Sequence, residues 1–145
     1  RHLRSRQASE LAQTGAVNAK YSHGGLVEVE YFVQACQIAA VHLDAGVRLG
    51  NTLDAVERHR TGGHMSLESA RELRETYGFL RRLIDALRAV RGHSKDLTLP
   101  DTGSREFAYL ARQLRYDTGE QLAGAVADRM GHARSLWDEG ISPAR

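Results

Sequence analysis

The stretch Ser66–Arg91, SLESARELRETYGFLRRLIDALRAVR, fixes the class of the fold. Leu73, Tyr77, Leu80, Ile84 and Leu87 recur at alternating spacings of four and three, and Phe79, Leu83, Ala86 and Val90 form a second stripe beside them. That periodicity belongs to an α-helix, and two adjoining apolar stripes require packing partners on two sides. Ser66 supplies the N-cap oxygen. The third face carries Arg71, Arg74, Arg81, Arg82, Arg88 and Arg91 against Glu68, Glu72, Glu75 and Asp85. It reads either as a solvated surface laced with Glu/Arg pairs or as a contact for an anionic partner. In the second case Arg81, Arg82, Arg88, Arg91 and the nearby Lys95 are the candidate contacts.

Working outward, each flank offers further helices. Asn51-Thr52-Leu53-Asp54 is a capped start, stopped by Gly62-Gly63. Downstream, residues 92–103 form a connection punctuated by Pro100 and Gly103, long enough to suggest a functional loop. Ser104 then opens a helix with Phe107, Leu110, Ala111 and Leu114 on one face. Thr118-Gly-Glu-Gln121 has capping-box spacing. The helix after it carries Leu122, Val126, Met130, Ala133 and Trp137 and is closed by Ser142-Pro143. Upstream, Leu26, Val29, Val33, Cys36 and Ala40 share one helical strip. No segment alternates as a strand does, so the expectation is an all-α single bundle of five or six helices. Residues 1–15 read as a first helix or as the tail of a preceding region, with Leu3, Ala8, Leu11 and Ala12 at helical spacing and Arg1, Arg4 and Arg6 beside them. Residues 16–145 make up the bundle.

A length of 145 residues suits one domain with one core. The apolar fraction of 41% and charged fraction of 26% are ordinary for a globular chain. No apolar run reaches the roughly 18 residues of a membrane span. A net charge of +2, with no aromatic residues interleaved among the arginines, argues against nucleic acid. A single cysteine, Cys36, permits no internal disulfide and fits a cytoplasmic setting. The opening Arg1-His-Leu, without a methionine, suggests a fragment of a longer protein.

Chemistry-bearing signatures are sparse. There is no Walker loop, Gly-x-Ser-x-Gly or Gly-x-Gly-x-x-Gly string, so neither a catalytic residue nor a metal ligand is assigned. The seven histidines are scattered. His59 and His64, separated by a glycine break, read as surface residues without co-ligands. More informative is Lys20–Gln37, KYSHGGLVEVEYFVQACQ, which passes from a polar loop through a glycine pair into an apolar helix. Counted at 100° per residue, Glu30, Gln34 and Gln37 form a polar strip flanked by apolar neighbours, and such groups need partners when buried. A hydrogen-bond network between helices and a role beside an active site both satisfy that need. Glu28 points almost oppositely to Glu30, so the two carboxylates cannot act as a pair on one helix.

The string Lys20-Tyr-Ser-His-Gly-Gly-Leu-Val-Glu-Val-Glu-Tyr-Phe-Val-Gln resembles the Lys-x-x-x-Gly-Gly-Leu/Ile-x-Asp/Glu-Ile/Val-Glu-Phe/Tyr-x-Val-Gln motif of glutamine synthetase adenylyltransferases, with a looser version in PII uridylyltransferases. Asn51-Thr52-Leu53 with Ala55, Tyr77-Gly-Phe-Leu-Arg-Arg-Leu and Arg91-Gly-His-Ser-Lys-Asp-Leu-Thr-Leu-Pro are similar to later landmarks of that family, and the likeness covers residues 16–116. It implies a helical domain that follows a nucleotidyltransferase domain, and it makes residues 1–15 the tail of that catalytic region or a first helix. It further implies that Lys20, Gly24, Gly25, Glu28, Glu30 and Gln34 support the interdomain junction or the nucleotide cleft. The parent would use ATP and magnesium to transfer AMP to a tyrosine of glutamine synthetase, in nitrogen-assimilation control. This segment would lack the Gly-Ser and Asp-x-Asp motifs, hold no cofactor and be inert alone. Its expected partners are the missing catalytic domain and glutamine synthetase or a PII-type signalling protein. The rival expectation is a purely regulatory interaction domain for the same proteins.

Overall fold

The computed structural model describes residues 16–93 and 95–138. Five α-helices are found among them: α1 (Leu26–Ala40), α2 (Thr52–Thr61), α3 (Leu67–Arg91), α4 (Arg105–Gln113) and α5 (Gly119–Asp138). A 3-10 turn at Ala45–Val47 lies between α1 and α2. There is no sheet among the described residues, only an isolated antiparallel bridge between Asn18 and Thr98. The fold is all-α, as the periodicity predicted. The expectations for residues 1–15 and for the Ser142-Pro143 stop lie outside the described residues.

Helices α2 to α5 each begin where the sequence places a capping oxygen. Ser66 Oγ accepts the Ser69 amide at 3.1 Å, and Ser104 Oγ accepts the Phe107 amide at 3.1 Å. Asn51 Oδ1 accepts the amides of Leu53 and Asp54 at 3.0 and 3.1 Å. At α5 the Gln121 amide donates to Thr118 Oγ1, while Gln121 Oε1 reaches back to accept the Asp117 amide. These bonds satisfy amides that the helices themselves cannot. Helix α3 ends at Gly92, whose φ of +68° suits a residue without a Cβ.

Helix α3 is the spine of the bundle and contacts all four other helices. Its two stripes are the reason. Leu73, Leu80, Leu83, Ile84 and Leu87 are almost wholly buried, with Phe79 close behind and Tyr77, Ala86 and Val90 packed at the margin. Around them lie Val29, Phe32 and Val33 of α1, Phe107 and Leu110 of α4, and Leu122, Val126 and Met130 of α5. Each large apolar side chain removed from water in this way stabilises the fold by about 1.5–3 kcal/mol. Phe32 and Trp137 close the α1–α5 seam edge to face, with centroids 5.5 Å apart.

Two sequence readings are corrected here. The Glu30–Gln34–Gln37 strip is not enclosed: Glu30 is half-buried, Gln34 is exposed, and their neighbours Tyr31 and Ile38 are 37% and 75% exposed. Only Gln37 finds internal partners, donating through Nε2 to the carbonyls of Val47 and Leu49 at 2.6 and 2.8 Å. It thereby pins the 3-10 turn to α1. His59 is a core residue at 1% exposure, not a surface one, because α2 turns that position toward the bundle.

Candidate functional site: the loop that caps helix α1

The loop Asn18–Gly25 is built around its own backbone. Asn18 Oδ1 accepts the amides of Lys20 and Tyr21, both at 3.0 Å, an Asx-type turn. The Asn18 amide donates to Ser22 Oγ at 2.8 Å. Chain reversal then brings the loop carbonyls over the start of α1. Leu26 donates to the Ala19 carbonyl at 3.1 Å and Val27 to that of Lys20 at 3.0 Å. Gly25 is the N-cap but has no side chain to offer, so the folded-back loop replaces the usual capping oxygen.

Glu28 completes the cap from within. It is buried at 5% exposure, and its carboxylate accepts the Gly24 amide and both faces and fixes Nδ1 of His23, at 2.9 and 3.0 Å. A carboxylate oxygen accepts, so Nδ1 is the donor of this pair. The His23 side chain is half exposed. Helix α5 holds the same junction from the far end of the chain. Arg134 Nη1 donates to the His23 carbonyl at 3.2 Å, and Trp137 Nε1 donates to the Glu28 carbonyl at 3.1 Å.

The glycine pair is explained by these approaches. Gly24 has φ +86°, and a Cβ there would stand 2.9 Å from the carbonyl carbon of Met130 in α5 and nearer still to its oxygen. A Cβ on Gly25 would meet the Lys20 and Ser22 carbonyls at 2.8 and 2.9 Å. Both glycines are therefore required by packing inside the bundle. The 92–103 connection is tied to the same loop. Ala19 donates to the Leu97 carbonyl at 2.9 Å, and Leu99 donates to that of Val17 at 2.7 Å.

Of the residues singled out by sequence, Lys20, Gly24, Gly25 and Glu28 come together here. Lys20 is half-buried, with Nζ 5.0 Å from the centroid of the Tyr21 ring. Glu30 and Gln34 lie farther along α1, and their side chains make no hydrogen bond among the described residues. The basic set belongs to a different part of the bundle. Arg91 donates to Glu106 Oε1 at 2.8 Å and to the Asp96 carbonyl at 2.9 Å, which ties the 92–103 connection to α4. Arg88 lies 3.5 Å from Asp85, whereas Arg81, Arg82 and Lys95 are exposed and form no ion pair among the described residues. Sequence reasoning missed His23, Arg134 and Trp137. Nothing local marks the last two, because their partners lie more than a hundred residues away.

Two buried titratable groups sit elsewhere. Burial pushes the Cys36 thiol up to about 11, which keeps it protonated and unreactive. Burial, and secondarily the charge of His64, hold His59 below its ordinary value. No group of three or more His, Cys, Asp or Glu able to hold a metal ion occurs among the described residues. No helix among them is long and apolar enough to cross a membrane.

With this geometry in place, comparison with known proteins is decisive for kinship. The sequence model described as GlnD PII-uridylyltransferase matches residues 1–138. The chain belongs to that family. Among its curated relatives, the bifunctional glutamine synthetase adenylyltransferase/adenylyl-removing enzyme of Streptomyces coelicolor is 36% identical over 131 residues, 88% of this chain. The Rhodopseudomonas palustris protein of the same name is 29% identical over 137 residues, 92% of this chain. The Mycobacterium bovis one is 32% identical over 114 residues, 77% of this chain. The chain spans only 13%, 14% and 11% of the lengths of these three relatives. As a GlnD PII-uridylyltransferase family member, it corresponds to one helical part of much larger enzymes. The Lys20–Glu28 part of the string forms the self-capping junction described above.

Proposed function

We propose that this chain is the helical accessory domain of a nucleotidyltransferase resembling glutamine synthetase adenylyltransferase, and that the loop–α1 junction faces the catalytic domain preceding it. The observation that carries the reading is the 36% identity over 131 residues to a bifunctional adenylyltransferase/adenylyl-removing enzyme. The junction adds physical support. The cap presents the Lys20 ammonium, the Tyr21 ring and the half-exposed His23 side chain from one short loop, while Glu28 holds that loop shut. Lys20 is the residue suited to a nucleotide phosphate, as a mobile point charge. Glu28 acts as a positioning group.

In this reading the parent acts in the cytoplasm and moves AMP from ATP to a tyrosine of glutamine synthetase. Magnesium would neutralise the phosphate charge developing in that transfer. In this reading ATP and magnesium belong to the catalytic domain, as the family resemblance implies. The test has two arms. The isolated chain, supplied with labelled ATP, magnesium and glutamine synthetase, should incorporate no label, and robust turnover would sink the accessory role. In the full-length parent, Lys20→Ala should depress transfer while leaving the melting temperature of the domain unchanged.

A second reading, a regulatory docking domain for glutamine synthetase or a PII-type protein, is favoured by one observation. Arg81 and Arg82 stand side by side on α3, exposed and without an acidic partner among the described residues. Charge reversal of both in the parent, with catalysis retained but regulation lost, would select this reading.

A further inference from the structure

The connection between α2 and α3 closes over a second cluster of titratable groups, separate from the loop–α1 junction. His59 is 1% exposed, and its Nε2 is buried without a hydrogen-bond partner among the described residues. His64 folds back on it. The His64 amide donates to the His59 carbonyl at 2.8 Å, and the two rings meet edge to face with centroids 6.0 Å apart. The His64 ring also lies against Gly62, where a Cβ would stand 2.9 Å from its Cδ2. Asp44 ties the cluster together. Its Oδ2 lies 2.6 Å from Arg58 Nη2 and 3.8 Å from His64 Nε2, and its Oδ1 accepts the Gly46 amide at 2.9 Å to cap the 3-10 turn. One carboxylate thus joins the α1–α2 connection, α2 and the α2–α3 connection.

A neutral His59 suits this place and a charged one does not. The charged groups that act on it among the described residues are His64 and Asp44, and Asp44 is already paired with Arg58. Toward the end of α1 the buried residues are Val33, Ala40 and the protonated Cys36, and at the start of α3 they are Ala70 and Leu73. None of these carries a charge. A proton on His64 faces Asp44, whereas a proton on His59 sits in the core beside the second ring, without an acceptor. We propose that the α2–α3 connection is a proton-operated latch, closed by Asp44 and His64 over the neutral His59 ring and opened when His59 is protonated. Opening exposes the last turn of α2 and loosens the 3-10 turn that Asp44 caps, while α3 stays in place. The closed form holds His59 below its ordinary 6.5 and so binds fewer protons than the open form. Closure is therefore fully favoured above 6.5 and is lost as pH falls below it, by up to about tenfold per pH unit. The latch is built from this chain's own residues and does not depend on the role of the junction.

Hydrogen exchange of the full chain, followed by mass spectrometry and corrected for the intrinsic pH dependence of exchange, tests the latch. Between pH ~7.5 and ~5.5 the opening of residues 56–65 should rise about tenfold, while that of residues 80–87 in α3 should change less than about twofold. His59→Phe should remove the rise. Asp44→Asn should increase the opening of residues 58–65 at pH ~7.5, where His59 is neutral. Ring NMR on the unaltered chain needs no variant: His59 should titrate below 6.5, and its contact with His64 should fade over the same range. A flat response to acid overturns the proposal, as does an equal rise in α3, which would make the effect a global loss of stability. A rise that survives His59→Phe, titration of His59 at 6.5 or above, or unchanged opening in Asp44→Asn also overturns it.

Discussion

Four glycines form a natural factorial test of why the Gly24-Gly25 pair is needed. Gly24 combines a positive φ of +86° with a Cβ position blocked by the Met130 backbone. Gly25 has an ordinary φ of −76° but a Cβ position blocked by the Lys20 and Ser22 carbonyls. Gly63 has φ +76° and open space, and Gly50 has open space without a positive φ. Replacing each by alanine separates backbone strain from steric exclusion. The left-handed conformation costs an alanine ~1–2 kcal/mol, set against a gain of ~0.4–1 kcal/mol from the stiffer unfolded chain. Forcing a methyl against fixed backbone costs a further ~1–3 kcal/mol. Gly50→Ala should therefore be neutral or slightly stabilising, Gly63→Ala should cost roughly 1 kcal/mol, Gly25→Ala about 1–2, and Gly24→Ala about 2–4. For a chain of this length each kcal/mol lowers the melting temperature by ~2–4 °C, so differential scanning calorimetry resolves the series. If Gly24→Ala costs no more than Gly63→Ala, the close approach of the loop to α5 is not what requires glycine. The account of the junction would then fail.

Glu28→Gln keeps the shape of the side chain but weakens acceptance from the Gly24 amide and His23 Nδ1, and should cost ~1–3 kcal/mol in urea unfolding. Glu30→Gln on the half-buried flank should stay within ~0.5 kcal/mol, and equal effects at the two positions would refute the assignment. His59, held below its ordinary 6.5 when folded, takes up a proton more readily in the unfolded chain. Its contribution is thus fully present above that value and is lost as pH falls below it. His59→Phe should flatten the loss of stability as pH falls below 6.5, and an unchanged slope would argue against a buried neutral imidazole. With its thiol at about 11, Cys36 should react with iodoacetamide at pH ~8 only as fast as the bundle opens. Labelling at the rate of a free peptide thiol would contradict its burial.

The bundle itself was legible because its signals are local. Ser66, Asn51, Ser104 and Thr118 each mark a helix start by chemistry acting over three residues. The two stripes of α3 announce a helix enclosed by neighbours, and it touches all four. The burial of His59 was not legible. A histidine near a glycine stop looks the same on either face of a short helix, and the choice is made by how α2 leans on α3. Trp137 and Arg134 were recognisable as helix residues, but their bonds to Glu28 and His23 depend on α5 returning to the start of the bundle.

The exchange of roles between Glu28 and Glu30 follows from the same limit and bears on function. Helical counting placed the two carboxylates on opposite sides of α1 and gave relative angles only. The absolute rotation is set by the loop, whose Ala19 and Lys20 carbonyls capture the Leu26 and Val27 amides and so orient the first turn. Once those bonds form, the third residue of α1 faces the loop and the fifth faces away. Glu28 is then occupied with Gly24 and His23, whereas Lys20 Nζ lies 5.0 Å from the centroid of the Tyr21 ring. Under the proposed function, Glu28 and Lys20 should separate by kind of defect in the parent enzyme. Loss of Glu28 should lower transfer together with the stability of the domain, and lowering the temperature should restore part of the activity. Loss of Lys20 should lower transfer at every temperature with the fold intact. Identical temperature dependence for both variants would mean that the junction serves the fold alone.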